Sequence, residues 1–375
     1  MIFLGDRVAI VHESFAQYGE AERIAEEIAK LAPHADILSA VSVDESLSHY
    51  LRSRAIKTTW MNHLPAKKKW SHQYAPLFPL AIRALDMSQY SVVISSCAGF
   101  AKGVQCRHDA VHLCYCHTVR PSIWRSKEYA RAENVNGTTR LLLKPLLAAL
   151  RQFDRALAVQ PDYYVAKSRG VADQIKKCYG RNAYVVHPPV ETSRFYASQT
   201  PDDYLLIVSD LFAHKQIDMV IAACNSIGKR LLIVGAGPDR QRLESLAGPS
   251  ILFLGRRTEN QVVDLLARSQ AVFCPDVEAD FDTMPLKANA SGRPAISFAV
   301  GSAFETIANG ASGVLCWECS RPAIVEAIEH CVRVPWNPAI LNKYARDFDV
   351  SVFRNEFTSV LEDILGTESM VRAVA

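Results

Sequence analysis

The fold is decided by the stretch Tyr204-Leu-Leu-Ile-Val-Ser209 and, after a helix-like segment, by Arg230-Leu-Leu-Ile-Val-Gly235-Ala-Gly237-Pro. Further short apolar runs occupy residues 251–254, 271–274 and 294–298, with helical patterns between them. Short apolar strands that alternate with helices indicate a parallel sheet covered on both faces. Gly235, Gly237, Gly255 and Gly301 follow these strands, and parallel sheets bind ligands at the carboxyl ends of their strands. We therefore expect a doubly wound α/β domain over residues 200–345.

The first half of the chain repeats the arrangement. The run Arg7-Val-Ala-Ile-Val ends at His12, and a helix opens near Gly19 and continues to about Leu31. Strand-like runs recur at residues 35–38, 91–95, 111–115 and 163–166. The prolines at 188 and 189 resist helix or central-strand pairing and mark a junction. The sequence predicts a second doubly wound domain over residues 1–185, facing the other across a cleft.

Composition favours an enzyme of a reducing compartment. Hydrophobic residues make up 49% and charged residues 22%, with a net charge of +3, so neither disorder nor nucleic-acid binding is indicated. No leader pattern and no apolar stretch of membrane-spanning length is present, so we expect a cytoplasmic location. The ten cysteines are typical of buried thiols. Cys316 and Cys319 lack the further ligands of a zinc site and a thioredoxin-like setting. No metal and no cofactor is predicted.

Ten short blocks together carry a resemblance. Over nearly its whole length the chain resembles bacterial glycosyltransferase family 4, retaining enzymes of the GT-B fold with two Rossmann-like domains. No single block is specific, but all occur in the family's order. They begin at Val11, Gly19, Ile94, Cys114, Ser168, His187, Lys215, Gly235, Phe253 and Ser291, and Ala101 and Pro285 add to them.

The resemblance implies that the two domains bind different substrates. The carboxyl-terminal domain would hold a nucleoside-diphosphate sugar and the amino-terminal domain the acceptor. Breaking a glycosyl-phosphate bond leaves negative charge on the diphosphate, which cations and backbone amides stabilise. The positions implied for substrate binding are His12, Gly19, Glu20, Lys215, Gly235, Gly237, Arg256, Glu278, Asp280 and Lys287.

Four donor-facing positions depart from the family pattern. Asp210 stands where the resemblance implies Arg, and Glu20 stands where it implies the second glycine of a Gly-Gly pair. Ala279 and Lys287 stand at the two positions of the family's paired glutamates. Neighbouring Glu278 or Asp280 could supply a carboxylate, and Lys287 could meet phosphate. The donor site is therefore either rearranged or no longer binds a nucleotide sugar.

Two histidines are the candidates for contact with substrate. His117 follows the run Leu-Cys-Tyr-Cys, and its family counterpart sits near the hydroxyls of the donor sugar, so we predict a catalytic role. The alternative is a histidine that only caps a strand end by hydrogen bonding. His12 also ends a predicted strand, where it would contact acceptor or serve structure alone.

A stretch of cations and aromatics suggests membrane contact. Residues 60–78 combine three lysines with four aromatic residues, a composition typical of segments at an anionic lipid surface. The lysines are Lys67, Lys68 and Lys69, and the aromatic residues are Trp60, Trp70, Tyr74 and Phe78. A second basic stretch, residues 140–151, fits an ordinary amphipathic helix. By resemblance the last helix, residues 351–375, packs back on the first domain, and apolar spacing supports a helix to Leu365 with a frayed tail from Gly366.

The sequence thus predicts a glycosyltransferase at the inner face of the cell membrane. It would transfer a hexose from a nucleoside-diphosphate sugar, with a GDP-mannose-type donor as first choice by resemblance, to a lipid-linked or cell-surface polysaccharide precursor. The alternative is a non-catalytic relative that binds a glycan or a partner glycosyltransferase.

Overall fold

The computed structural model describes residues 7–70, 74–124 and 137–374. The chain forms two compact units. The first comprises the described residues up to His187 together with the final segment from Phe353, and the second is Pro188–Val352. The chain therefore leaves the first unit once and returns to it at its end.

The first unit is built on a seven-stranded parallel sheet in the order β3-β2-β1-β4-β5-β6-β7. The strands are apolar on both faces because helices cover both sides, as the doubly wound arrangement requires. Their bounds are β1 Val8–Phe15, β2 Asp36–Ser42, β3 Ile56–Thr58, β4 Val92–Cys97, β5 Val111–Cys116, β6 Tyr163–Ala166 and β7 Tyr184–Val185.

Helices connect these strands. Ser168 caps one of them, since its hydroxyl accepts from the backbone N–H of Val171 at 3.1 Å, and Gly180 ends the same helix at a φ of 71°. The helices of the first half are α1 Glu20–Leu31, α2 His49–Arg52, α3 Lys67–Trp70, α4 Phe78–Arg83, α5 Pro121–Trp124, α6 Gly137–Leu157 and α7 Arg169–Tyr179.

The second unit repeats the architecture with a six-stranded parallel sheet in the order β10-β9-β8-β11-β12-β13. Its strands are β8 Leu205–Val208, β9 Leu231–Val234, β10 Ile251–Gly255, β11 Ala271–Cys274, β12 Ala295–Phe298 and β13 Gly313–Cys316. Its helices are α8 Ile217–Ile227, α9 Arg240–Leu246, α10 Glu259–Arg268, α11 Met284–Ala290, α12 Ala303–Thr306, α13 Arg321–Arg333 and α14 Pro338–Arg346. The predicted pair of Rossmann-like α/β domains is confirmed.

The last helix, α15 Val350–Val374, contributes to the core of the first unit. Phe353, Phe357, Leu361 and Ile364 are buried there with residues of α1 and β1 such as Ile10. The helix continues past Gly366 to Val374, so the expectation of a frayed tail that begins at Gly366 was wrong for these residues. Residue 375, the end of the predicted helix, lies outside the described residues.

Several strands of the first unit end later than predicted; β2, expected to end at residue 38, continues to Ser42. β1 continues to Phe15, so His12 lies inside the strand and pairs in register with Ser39 on one side and Ser96 on the other. Two polar side chains of this part of β1 have partners on neighbouring elements: His12 contacts Ser96, and Glu13 accepts from the backbone N–H groups of Phe100 and Ala101. β3, β7 and β13 were not predicted from the sequence.

Candidate functional site

Three adjacent strands bring His12, Ser96 and His117 together in the first unit. β1 pairs with β4 and β4 pairs with β5, and all run in the same direction. His117 follows the last residue of β5, and its backbone N–H donates to the carbonyl of Cys97 at 2.9 Å. Side chains from three strands therefore meet at the carboxyl edge of the sheet.

A chain of close polar contacts joins these residues. Nδ1 of His12 lies 3.0 Å from the hydroxyl oxygen of Ser96, and that oxygen lies 2.8 Å from Nε2 of His117. On the other side, Nε2 of His12 lies 3.8 Å from Oε1 of Glu22. The second oxygen of Glu22 accepts from the backbone N–H of Gly19 at 2.8 Å. All four side chains of this chain are buried.

Burial makes His117 neutral. Desolvation, together with the positive charge of Lys167 and the neighbouring His12, holds the pKa of His117 well below its usual value. Burial opposes ionisation of Glu22, but hydrogen bonds and charge contact with His12 and Gly19 keep the pKa of Glu22 below its usual value. Nδ1 of His117 is buried without a hydrogen-bond partner among the described residues. The site therefore presents one unused imidazole nitrogen beside a carboxylate-supported histidine.

An open cavity of about 580 Å³ adjoins His12 in this unit. His12, Glu13, Glu22, Lys68, Phe100 and Arg120 are among its lining residues. The guanidinium of Arg120 lies 3.9 Å from the centre of the Phe100 ring, and its Nη1 is buried without a hydrogen-bond partner in the described residues. Oε1 of Glu13 accepts from the backbone N–H groups of Phe100 and Ala101. The carboxylates of Glu13 and Glu22 in the cavity wall thus already accept hydrogen bonds from the protein. In contrast, Nη1 of Arg120 has an N–H group with no acceptor among the described residues.

Glu20 is paired with a cation. Its Oε1 lies 3.1 Å from Nζ of Lys167, which follows β6 and is largely buried. Glu20 is also the first residue of α1, where the helix dipole favours negative charge. The carboxylate of Glu20 is therefore stabilised by its local electrostatic surroundings in this chain.

In the second unit, Lys215 is ion-paired with Asp276. Nζ of Lys215 donates to Oδ2 of Asp276, and both side chains are mostly buried. Lys215 ends the single 3-10 turn that follows β8, and Asp276 comes just after β11, the neighbouring strand. The predicted phosphate-binding lysine thus lies at the carboxyl edge of the sheet with a carboxylate already against it.

Asp282 is a further acidic group near this pair. Burial raises the pKa of Asp282 to about 6, and Asp276 adds to the effect, while the charges of Lys287 and Lys215 oppose it. One of its oxygens accepts from the backbone N–H of Met284 at 2.8 Å. Asp276, Lys215 and Lys287 therefore all act electrostatically on Asp282.

Gly235 and Gly237 allow two loops to touch. A Cβ built on Gly235 would lie 1.8 Å from the carbonyl oxygen of Ser209, and one built on Gly237 would lie 2.2 Å from that of Leu211. Gly235 also has a φ of 142°, which side chains of L residues rarely adopt. These glycines are required for the packing of the loop after β9 against the loop after β8.

The remaining predicted donor residues are spread along the edge of the second unit. Glu278 is exposed, and its backbone N–H donates to Asp276 at 3.0 Å. Arg256 is exposed directly after β10, and Asp210 is exposed after β8. Asp280 is partly buried, and Lys287 lies partly buried in α11. The structure brings Lys215 and Lys287 near the carboxyl group of Asp282.

Neither a metal centre nor a disulfide occurs in the described part of the chain, where all ten cysteines are free thiols. Cys316 is buried and Cys319 is exposed. No helix within residues 7–70, 74–124 and 137–374 is long and apolar enough to cross a membrane.

The basic and aromatic stretch 60–78 is only partly described. Trp60 is exposed. Nζ of Lys67 donates to Oδ1 of Asn62 at 2.6 Å, and Lys68 forms an exposed ion pair with Glu45 at 3.3 Å. The side chains of Lys69 and Trp70, and residues 71–73, lie outside the described residues.

Sequence comparison finds known proteins that are similar to parts of the chain. Residues 202–333 match the family Glycosyl transferases group 1. The chain is 27% identical over 142 residues to N-acetyl-alpha-D-glucosaminyl L-malate synthase of Bacillus anthracis, covering 36% of this chain and 37% of that protein. It is 26% identical over 208 residues to glycogen synthase of Mycobacterium tuberculosis, covering 51% of this chain and 49% of that protein. The chain thus spans about half, or less, of these relatives.

Solved structures resemble the whole chain. Sucrose-phosphate synthase from Thermosynechococcus elongatus matches with a TM-score of 0.72 at 16% identity, covering 96% of this chain and all of that one. Anabaena Alr3699/HepE in complex with UDP-glucose matches with a TM-score of 0.71 at 15% identity, covering 95% of this chain and 99% of that one. The fold is therefore the GT-B fold of glycosyltransferases. Its second unit carries a glycosyl transferases group 1 domain.

The sequence did not reveal the partners of the predicted residues. Asp276, Lys167 and Arg120 had no motif of their own, and no pattern indicated that Ser96 would bridge two histidines. The partners come from distant positions: Lys215 and Asp276 are 61 residues apart, and Glu20 and Lys167 are 147 apart. Only the strand order reveals such pairs.

Proposed function

We propose that the protein is a retaining glycosyltransferase that transfers a hexose from a nucleoside-diphosphate sugar to a lipid-linked or cell-surface polysaccharide precursor. The observation that carries this proposal is the match of residues 202–333 to the glycosyl transferases group 1 family within a complete GT-B fold. The relatives with printed activities include a glycogen synthase and a sucrose-phosphate synthase.

The donor diphosphate would bind beside Lys215. A leaving diphosphate gains negative charge as the glycosyl bond breaks, so a cation at the carboxyl edge of the sheet stabilises the transition state. We propose that the diphosphate takes the place of the Asp276 carboxylate on Lys215, with Lys287 as a second cation. A GDP-mannose-type donor remains the first choice, and UDP-glucose, which binds the Anabaena protein, is the second.

The acceptor would bind in the cavity of the first unit. Its wall offers the unused N–H of Arg120, and Lys68 supplies a second positive charge. A guanidinium suits the paired oxygens of phosphate or carboxylate. Lipid-linked sugars are attached through phosphate, and the Bacillus anthracis relative is named for L-malate, a dicarboxylate. We therefore propose an acceptor that carries an anionic group, with His117 in contact with the reacting sugar.

A donor titration tests the proposal. The chain is titrated by calorimetry with UDP, GDP and dTDP sugars, and turnover is measured with the donor that binds. Lys215→Ala should weaken donor binding by roughly 1 to 3 kcal/mol, about 5- to 150-fold in Kd. Lys229→Ala is the matched control, because Lys229 pairs with Asp203 before β9 and β8, at the opposite edge of the same sheet. Equal losses in both variants would refute the assignment of Lys215.

The acceptor cavity is tested separately. Arg120→Gln should raise the acceptor KM at least tenfold and leave the Kd of the donor unchanged. Arg83→Gln, an exposed substitution in α4, should change neither. An unchanged acceptor KM in the Arg120 variant would remove the anion-binding role.

A non-catalytic relative is the second candidate, favoured by the ion pair that already neutralises Lys215. Such a protein would bind a glycan or a partner transferase. The combined change to the four departing positions, Glu20→Gly, Asp210→Arg, Ala279→Glu and Lys287→Glu, distinguishes the two. It should abolish turnover if the donor site is rearranged but active. A silent wild-type chain whose variant gains nucleotide binding would instead establish the non-catalytic function.

A further inference from the structure

Helix α6 packs on the first unit with one face and leaves an apolar face uncovered. Asp154 and Leu157 are buried on the inner face, where Nε of Arg151 donates to the carbonyl of Ile123 at 2.9 Å. The opposite side of the helix, at 3.6 residues per turn, carries apolar residues spaced by three and four. These residues are Leu146, Ala149, Leu150, Phe153 and Ala156, and all of them are exposed. We call this set the α6 stripe.

The large side chains of the α6 stripe keep much of their surface in contact with solvent. Leu146 is 53% exposed, Leu150 36% and Phe153 37%. A contiguous exposed apolar surface marks an interaction site, and a spacing of three and four residues is that of a helix packed lengthwise against another helix. The amphipathic helix expected from residues 140–151 therefore has an apolar face that its own unit does not cover.

The sizes of these side chains match a second copy of the same helix in the antiparallel orientation. Along the stripe, the large residues Leu146 and Phe153 alternate with the small residues Ala149 and Ala156. A two-fold axis at residue 151 places Leu146 of one copy opposite Ala156 of the second copy. The same axis places Ala149 opposite Phe153. Every layer then combines a large side chain with a small one, which allows the two helices to pack closely.

The charges of α6 favour a protein helix over an anionic lipid surface. A helix that lies on anionic lipid carries cations beside its apolar face. Here the guanidinium groups of Arg151 and Arg155 lie over the ring of Trp124, at 5.9 and 5.0 Å from its centre, and Lys144, seven residues before Arg151, is on the same side of the helix. Residues 125–136, adjacent in sequence, are mostly charged or polar and provide no matching apolar stripe.

We propose that the protein forms a dimer in which the α6 stripes of two copies pack against each other in antiparallel orientation. The surface is self-complementary, so the same residues serve both copies and the assembly closes at two chains. An interface made mainly by one pair of helices is smaller than the standard size, so we expect a dissociation constant on the order of micromolar. The dimer does not depend on the proposed transfer activity.

Sedimentation equilibrium of the full-length protein, without lipid, tests the dimer. With rising concentration the mass should increase from 41.6 kDa toward twice that value. Ala149→Glu places a carboxylate against Phe153 of the second copy and should raise the dissociation constant at least about 100-fold. Ala148→Glu is the matched control, because Ala148 is exposed on the same helix but lies about 100° from Ala149 around its axis. A wild-type chain that stays at 41.6 kDa, or equal weakening by both variants, would overturn the proposal.

A pair of complementary charges tests the antiparallel orientation. Phe153→Lys alone should also dissociate the dimer, but a mixture of Phe153→Lys and Ala149→Glu chains should form a heterodimer, because the two introduced charges then face each other. Leu146→Lys mixed with Ala149→Glu should not, because Leu146 faces position 156. Absence of a heterodimer in the first mixture, or its equal formation in the second, would overturn the antiparallel packing.

Two further measurements separate the dimer from misfolding and from lipid binding. All substituted residues are exposed in the single chain, so the circular dichroism spectrum and melting temperature of each monomeric variant should match those of the wild-type monomer. Sedimentation with anionic vesicles is then compared for wild type and Ala149→Glu. A wild-type chain that is monomeric without vesicles, and whose vesicle binding is lost in Ala149→Glu, would assign the α6 stripe to lipid and overturn the dimer.

Discussion

Replacement of Lys102 by Met should destabilise the first unit strongly. Nζ of Lys102 lies 2.8 Å from Oδ1 of Asp154, and each side chain is only 2% exposed. The other oxygen of Asp154 accepts from Nε1 of Trp124 and from the hydroxyl of Tyr179, both at 2.7 Å. Lys102→Met leaves a buried carboxylate without its counter-charge, a loss of about 3 to 5 kcal/mol.

The melting temperature gives the first measurement. At about 2 to 4 °C per kcal/mol for a domain of this size, the loss corresponds to a decrease of roughly 6 to 20 °C in the transition of the first unit. Lys57→Met is the control, because the Lys57–Asp36 pair has a similar separation, 2.7 Å, but its side chains are 50% and 44% exposed. An exposed pair contributes about 0 to 1 kcal/mol. Equal shifts in the two variants would refute the argument from burial.

The same variant should affect the acceptor cavity. Nζ of Lys102 also donates to the carbonyl of Gly99 at 2.5 Å, and Gly99 lines that cavity. We therefore expect anion binding to weaken in Lys102→Met at temperatures where the protein is still folded. The double change Lys102→Met with Asp154→Leu should recover part of the stability, because no buried charge remains. Greater instability in the double variant than in Lys102→Met would show that the unpaired charge is not the cause.

Three further predictions concern the second unit, the last helix and the lipid surface. Asp282→Asn should stabilise the protein by about 1 to 3 kcal/mol at pH 7. The pKa of Asp282 is raised to about 6, so the wild-type protein loses stability as the pH rises from about 4 to 6, and the variant does not. Urea unfolding should therefore show a stability difference at pH 7 and none near pH 4. Gly235→Ala should cost at least about 2 kcal/mol in urea unfolding, whereas Gly366→Ala, with open space in helix α15, should be neutral or stabilising. Replacement of Lys67, Lys68 and Lys69 together by Gln should weaken binding to anionic vesicles at physiological salt by about 1 kcal/mol per lysine. The measurement is the fraction of protein that sediments with the vesicles. An unchanged fraction would refute the lipid contact.

The fold could be predicted because apolar runs and turn residues repeat along the chain. Strands such as Ala271–Cys274 and Tyr163–Ala166 have the predicted bounds. The edge strand Ile56–Thr58 was missed because it has only three residues and includes an exposed Lys57. The two-residue strand Tyr184–Val185 is too short for any periodicity.

The electrostatics of the site could not be read from the sequence. In the sequence, Glu20 and Asp210 both looked like negative charges placed at donor-facing positions. The structure shows a paired Glu20 at a helix start and an exposed Asp210 in a loop. Lys215 was predicted as a phosphate ligand from its position alone, while its partner Asp276 depends on the adjacency of β8 and β11. Pairing across a sheet is a property of topology, which local patterns do not contain.

The return of the chain to the first unit has a consequence for biosynthesis. Phe353, Phe357 and Leu361 of α15 fill a core whose members outside that helix all precede residue 187. The ribosome makes the whole second unit in between, which takes on the order of ten seconds at 5 to 20 residues per second. The second unit, being continuous in sequence, can complete its core first. The amino-terminal unit is synthesised earlier, but the apolar surface that α15 covers stays exposed until α15 has left the ribosome.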